Sequence, residues 1–447
     1  MKRYETYKDS GIEWIGGIPE GWQVKKVKHE CDVTDGTHFS PKTVHEGKPY
    51  ITVSNVNKDT IDVAGALLIS EEDFDLLVKQ GCQPKVGDVL LAKDGTVGRT
   101  AIVGENNDFV CLSSLGILSP SKNLNSQYFK YSLDSMLMQD QMARAMAGSA
   151  LRRITISKIN ELMFLLPSME EQETIASYLD HKVGKIDMSI SQIDSQIDSL
   201  KAYRQSVISE AVTKGLDKNA KMKDSGVEWI GEIPEGWSIV PLKHYLSLKG
   251  RIGWNGLKSE EFKEYAYAYL VTGQDFNSAI VNWSKCYQID KERYDEDPFI
   301  QLKNGDILVT KDGTIGKIAK VSNLDKPACL NSGIFVVKQK KEIFVQDYLY
   351  WVFVSNQLKE FVQYNSTGST IQHLYQNVFE NMPLTLPSIE EQDAIASYLN
   401  EKTSRIDETI NALDAQRTDL NALKQAVISE AVTGKIDVRD WTPSVEQ

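Results

Sequence analysis

A long internal duplication constrains this chain more than any other feature of its sequence. Residues Lys8 to Trp22 (KDSGIEWIGGIPEGW) return as Lys223 to Trp237 (KDSGVEWIGEIPEGW), changed only at Ile12/Val227 and Gly17/Glu232. Three more pairs follow in the same order. Lys93-Asp94-Gly95-Thr96 matches Lys311-Asp312-Gly313-Thr314, Pro167 to Leu179 matches Pro387 to Leu399, and Val207 to Thr213 matches Val427 to Thr433 without change. A period of about 220 residues is far longer than the roughly 20–50 of solenoid repeats, so each copy is domain-sized. Such a chain folds as two similar units, with two similar sites or one pseudo-symmetric assembly surface.

The 447 residues, 41% hydrophobic and 25% charged, suit several soluble domains that each bury a core. No apolar run approaches the roughly 20 residues that span a bilayer, and the start MKRYETYKDS lacks the apolar stretch of a signal peptide. A cytoplasmic protein with no membrane contact is expected. The 5 cysteines are odd in number and contain no CxxC, against both a disulfide framework and a zinc knuckle. Cys111 and Cys329 hold matching places in the copies and read as small buried strand residues. A net charge of −12 runs against a polyanion partner, since phosphate affinity comes from Lys and Arg. Acidic residues outnumber basic ones over Ser168 to Asp217, however, so the acidity can sit on helices while another face stays basic.

Within each copy a mixed α/β part precedes a long helix. Apolar runs at Pro49–Val53, Asp88–Ala92, Thr100–Val103, Asp306–Thr310 and Gly333–Val337 read as strands, and Ser126–Ala147 and Val345–Tyr364 as helical stretches. Ser168 and Ser388 stand as N-caps, with Glu171 and Glu391 three residues on as capping-box partners. Leu179, Val183, Ile186, Ile190, Ile193, Ile197 and Leu200 then step by alternating four and three, as do Leu399, Thr403, Ile406, Ile410 and Leu413. This heptad seam continues through Arg204 and Val207, and through Arg417, Lys424 and Val427. Each helix reaches about 60 Å at 1.5 Å per residue. A seam this narrow needs a partner helix, and its twin, arranged antiparallel, is the nearest candidate. The alternative, a helix lying on its own domain, calls for a wider apolar face.

Two globular parts, each preceded by a DSGIEWIG-IPEGW arm and followed by a PS-EEQ…IASYL…ISEAVT helix, resemble the specificity subunit of a type I restriction-modification system over essentially the whole chain. The resemblance implies an α+β fold: two mixed α/β target recognition domains (1–166 and 217–386) joined by two long antiparallel coiled-coil helices (167–216 and 387–447) in a pseudo-twofold tandem repeat. It further implies that each domain reads one half of a bipartite, asymmetric site in double-stranded DNA. The helices would set the gap and dock two methyltransferase subunits, with two restriction/translocase subunits joining for cleavage. Such a chain is not itself an enzyme, and S-adenosylmethionine, ATP and Mg²⁺ would belong to the partners. A rigid spacer suits this reading, because two half-sites about one helical turn apart, roughly 34–36 Å, present one face of the duplex.

Three regions are candidates for reading DNA. The first is the turn Lys93-Asp94-Gly95-Thr96-Val97-Gly98-Arg99 and its copy Lys311-Asp312-Gly313-Thr314-Ile315-Gly316-Lys317, where Asp-Gly signals a hairpin. Lys93, Thr96 and Arg99, like Lys311, Thr314 and Lys317, would meet backbone phosphates at its tip. It lacks the GxxxxGK[ST] spacing of a nucleotide-binding loop. The second is Ser149, Arg152 and Arg153, matched by Ser369, Gln372 and His373; the change of donors suits different bases, Arg favouring guanine and Gln adenine. The third comprises the unmatched loops with Thr37 and His38 in one copy and Arg251, Trp254 and Asn255 in the other. The competing readings are a plain turn for the first, a polar loop leading into the next strand for the second, and simple drift between unaligned loops for the third. The tryptophans of the arms (Trp14, Trp22, Trp229, Trp237) read as packing that seats each domain.

Partner docking is expected at Glu170, Glu171, Gln172 and Tyr178, and at Glu390, Glu391, Gln392 and Tyr398. No [DN]PP[YF] tetrapeptide, Gly-rich dinucleotide loop or HExxH is present, and the 6 histidines are scattered. A self-contained enzyme, and a coiled-coil scaffold without nucleic acid, stay open as alternatives. Turnover by the isolated chain would mark the first, and the lack of a DNA footprint in an assembled complex the second.

Overall fold

The computed structural model describes residues 2–57, 59–146, 152–251, 257–277, 279–365 and 373–442. Contacts gather the chain into two compact units, Met1–Asp194 with Asp414–Gln447, and Ser195–Leu413. Each unit holds one globular domain, the first half of the long helix that follows that domain, and the second half of the other long helix.

In the first unit the central strand Val89–Ala92 lies between Thr100–Ile102 and Leu115–Pro120, with Cys31–Asp35 beyond, all antiparallel. Alternation along a strand explains why it is apolar throughout. Val89 and Leu91 face a core shared with the helices, while Leu90 and Ala92 face a second core beneath the other β-layer. That layer orders Val110–Cys111, Lys48–Ile51, Leu67–Ile69 and Thr43–Val44. The second unit repeats the scheme around Ile307–Thr310. Ile307 and Val309 face one core, and Leu308 faces the other with Ile334 and Val336. Among the described residues its main sheet has six strands, because Ile280–Val281 and Phe276–Asn277 extend it, and its partner sheet has three.

The helical stretches are each broken once. Ser126–Asp134 stops at Ser135 and Gln346–Val354 at Ser355, both with extended backbone, before Met136–Met146 and Asn356–Tyr364 begin. The Ser355 hydroxyl accepts from the Gln357 amide, an N-cap that competes with helix continuation. All five cysteines are buried and free.

The long helices span Met169–Lys214 and Ile389–Val432. Ser168 and Ser388 accept from the amides of Glu171 and Glu391 as expected. The reciprocal half of the capping box forms in the second copy, where Glu391 accepts from the Ser388 amide. In the first copy Tyr4 donates to Glu171 at 2.6 Å. Inside the first unit the helix segments run antiparallel: Arg417 pairs with Asp194 at 2.8 Å and Lys424 with Asp187 at 2.5 Å. In the second unit Arg204 makes a two-pronged bond to Asp407 at 2.9 and 3.1 Å. The cations that interrupt the apolar seam are thus its cross-helix pairs. Each helix also buries residues in its own domain, Ile175 and Leu179 in the first and Ile395 and Leu399 in the second, so the two packing expectations coexist.

Packing against the arms accounts for the unchanged Val207–Thr213 repeat. Ile208, Ala211 and Val212 share a core with Ile233 and Trp237, and Ile428, Ala431 and Val432 share one with Ile18 and Trp22. Gly215 and Gly434 end the helices at φ +74 and +68 and lie against Trp237 and Trp22. The first arm is therefore seated by the end of the second helix. There the Asp437 amide donates to the Lys2 carbonyl and the Tyr7 hydroxyl to the Gly434 carbonyl, each at 2.9 Å.

Candidate nucleic-acid interface

The two Lys-Asp-Gly-Thr motifs form the hairpin turns read from sequence, with Gly95 and Gly98 at φ +67 and +94 and Gly313 and Gly316 at +66 and +81. Each turn is tied to the second candidate segment. In the first unit the Gly95 amide donates to the Arg152 carbonyl at 3.1 Å, and the Ile154 amide to the Lys93 carbonyl at 2.9 Å. Asp94 bridges to Arg153, whose guanidinium lies 3.1 Å from its carboxylate. In the second unit the Leu374 amide donates to the Lys311 carbonyl at 2.8 Å, and the His373 ring pairs with Asp312. The third candidate joins them in the first unit. Asp35, at the end of its strand, accepts from Lys93 at 2.7 Å and lies 3.3 Å from His38. Within the first unit, regions far apart in sequence thus converge on one surface.

Burial separates the candidate residues. His38, Thr96, Arg99, Arg152, Arg153, Thr314 and Lys317 are exposed, and His373 is partly so. Three residues expected at the surface are not there. Lys93 is 2% exposed because its ammonium is spent on Asp35. Thr37 is buried, its hydroxyl donating to the Phe39 carbonyl and accepting from the Phe39 amide to shape the loop. Arg251 is buried, donating to the Leu330 carbonyl at 3.1 Å and to the Cys329 sulfur at 3.5 Å. Burial pushes that thiol up to about 11 against the pull of Arg251, consistent with an unreactive cysteine. Ser149, Trp254, Asn255, Ser369 and Gln372 lie outside the described residues.

A model of the type I restriction modification DNA specificity domain matches residues 19–198 and again 234–416. The chain belongs to this family of specificity subunits. It is 23% identical to the MjaVIII specificity subunit of Methanocaldococcus jannaschii over 98% of both chains. It is 21% identical to the EcoBI specificity subunit of Escherichia coli over 96% of this chain and 89% of that one. A solved chain from work on complex assembly and conformational transition of the type I R-M system is 15% identical. It aligns with TM-score 0.65 over 93% of this chain and 98% of that chain, which establishes a shared fold.

In this specificity subunit several residues expected to dock partners hold the helix starts instead. Gln172 is 1% exposed: its carbonyl accepts from the Asn125 amide at 2.8 Å, and its amide donates to the carbonyls of Asn123 and Pro167. Gln392 repeats this with Val345, Ile343 and Pro387. Tyr178 is buried against Trp441, whereas Tyr398 is 40% exposed. Glu170 and Glu390 are exposed, and Glu171 and Glu391 are bonded to Tyr4 and Trp237. Gln172→Ala leaves three backbone groups unpaired and is expected to cost at least about 1–3 kcal/mol, read as a lower melting temperature. An unchanged melting temperature with loss of a bound partner would return Gln172 to a docking role.

Exposed aromatics flank these polar candidates without having been singled out as readers. Phe39, within the third candidate loop, is 58% exposed beside His38, and Tyr375, beyond the second candidate segment, is 63% exposed with its ring 4.7 Å from that of His373. Their signal was an aromatic side chain within two residues of a candidate polar reader, a placement suited to stacking on bases.

Among the described residues no helix is long and apolar enough to cross a membrane.

Proposed function

We propose that this subunit is the sequence reader of a type I restriction-modification complex, each globular domain binding one half of a bipartite, asymmetric site in double-stranded DNA. The observation that carries this reading is the shared scaffold with exchanged side chains. The same turn and the same following segment meet in both units, yet the paired residue is Arg153 in one and His373 in the other. Bidentate Arg selects guanine, whereas a His ring whose Nδ1 is held by Asp312 has Nε2 alone left to offer, so identical frames would select different bases. The paired helices would fix the gap between half-sites.

Two methyltransferase subunits would dock on the repeated frame, and two restriction/translocase subunits would complete the nuclease. S-adenosylmethionine, ATP and Mg²⁺ would be held by those partners, with this chain contributing no catalytic group. The docking positions we favour are exposed and identical in the two copies, where internal packing gives no reason for identity: Glu170 and Ser177, repeated as Glu390 and Ser397. The assembly would act in the cytoplasm, where its DNA lies.

The test is binding by the complex reconstituted with its methyltransferase subunit, on specific and scrambled duplexes at moderate salt where nonspecific binding is weak. Preference for the specific duplex is expected, with two methyltransferase subunits per chain by native mass spectrometry. Equal binding of both duplexes would sink the reading, and a single methyltransferase subunit would sink the duplicated docking surface.

A further inference from the structure

The two lysines that open the repeated turns occupy one backbone seat in two different electrostatic settings. The Lys93 amide donates to the Ser114 carbonyl and the Lys311 amide to the Gly333 carbonyl, while their own carbonyls accept from Ile154 and Leu374. Beside Lys93 stands Asp35, which pairs in register with Gly116. A Cβ on Gly116 would lie 3.6 Å from the Lys93 side chain, in ordinary van der Waals contact, so the Lys93 stem packs directly over this position. In the second unit Phe335 takes the place of Gly116, since Val309 pairs with Phe335 as Leu91 pairs with Gly116. Lys249 pairs with Val336, which sets Gly250 across from Phe335 where the first unit has Asp35. A Cβ at Gly250 would meet the Ile334 carbonyl oxygen at 2.8 Å and the Phe335 ring at 3.2 Å, so this site excludes a carboxylate side chain.

Two coupled exchanges, Gly116 to Phe335 and Asp35 to Gly250, therefore remove the ion-pair partner and keep the lysine. Lys311 rests 4.8 Å over the Phe335 ring, and among the described residues no carboxylate lies within ion-pair distance of it. Asp312, its neighbour in sequence, is engaged by His373. Burial holds the Lys311 ammonium below the usual lysine range, against the weaker opposing pull of the Asp312 carboxylate. The flanking positions change in the same direction: Thr34-Asp35-Gly36 becomes Lys249-Gly250-Arg251. Arg251 is 1% exposed with one guanidinium nitrogen lacking a hydrogen-bond partner, and Lys249 lies over the Phe299 ring at 5.2 Å. A partly buried cation held on an aromatic face with no carboxylate in ion-pair contact is set to gain from an anion brought to it.

We infer that Lys311 is a DNA-phosphate contact specific to the second recognition domain, and that the DNA supplies there the negative charge that Asp35 supplies to Lys93. The inference rests on the DNA-reading function proposed above. Lys93, closed off by its own carboxylate, is structural, so the electrostatic part of binding falls unequally on the two half-sites.

The experiment uses the full chain assembled with its methyltransferase subunits and the target duplex found by methylome sequencing, with affinity measured across a salt series. Losing one phosphate contact lowers the slope of log affinity against log salt by about 0.9, which is roughly eightfold weaker binding at 0.1 M salt. That change is expected for Lys311→Met, which keeps the contact with Phe335, and to the same degree on sequence variants of the second half-site. Lys311→Arg should keep the wild-type slope, and Lys93→Met should keep it while lowering the melting temperature. A wild-type slope in a Lys311→Met complex that melts normally, or equal loss of slope in Lys93→Met, would overturn the assignment. Wild-type complex that binds target and scrambled duplex alike would instead remove the DNA-reading function, and this inference with it.

Discussion

Trp22→Ala is expected to destabilise the first unit by about 3–5 kcal/mol, the range for removing a fully buried large aromatic side chain. Trp22 is 1% exposed, stands edge-on to Tyr4 with centroids 5.8 Å apart, and abuts the end of the second long helix at Gly434. It joins the start of the chain to a helix more than four hundred residues later in sequence, so its loss loosens both at once. Because a chain with two units need not unfold in one step, the informative readout is hydrogen exchange resolved by segment. Faster exchange is expected in residues 4–26 and 427–436, with little change over 230–250. Trp14→Ala is the control: that side chain is 42% exposed, and its removal should cost under about 1 kcal/mol. Equal effects of the two substitutions would mean that the arm is not seated as described.

Arg152→Ala combined with Arg153→Ala should relax discrimination in one half-site by about 1–3 kcal/mol per lost base contact, roughly thirtyfold to ten-thousandfold for the pair. The reason lies in how the turn presents them. Arg152 is exposed while its carbonyl is pinned by the Gly95 amide, and Arg153 is oriented by Asp94 at 3.1 Å with 47% of its side chain accessible. Since both are surface residues, thermal stability should move by no more than about 0.5 kcal/mol. Competition binding with duplexes randomised in either half separates the outcomes. Loss of preference confined to one half is expected. Uniform weakening on every sequence, with a reduced salt dependence, would mark both arginines as phosphate contacts.

What was legible in the sequence was local or repeated. Ser168 and Ser388 cap their helices because a hydroxyl three residues before an amide is a short-range relation, and the Asp-Gly turns follow from the conformational freedom of Gly95 and Gly313. The heptad spacing marked the helical seam, and the cations within it found carboxylates on the facing helix. The site was legible only in outline. Nothing near Lys93 announces Asp35, which reaches it through sheet register, so a buried ion pair read as a surface cation. Gln172 and Gln392 sit among glutamates on a helix start, a composition that suggests exposure, yet both turn inward to backbone groups of another segment. The helical breaks at Ser135 and Ser355 were missed because serine is tolerated in helices, and only the tertiary path chooses the cap.

The separation of a shared frame from two independent readers is tested most directly by methylome sequencing of cells carrying the complete system with either the native subunit or a chimaera. In the chimaera, residues 242–382 are replaced by the corresponding segment of a relative with a different target, while the arms and both long helices are kept. The native subunit should methylate a bipartite, asymmetric sequence, and the chimaera the same sequence with one half exchanged and the gap preserved. Exchange of both halves, or an altered gap with both halves retained, would contradict that division.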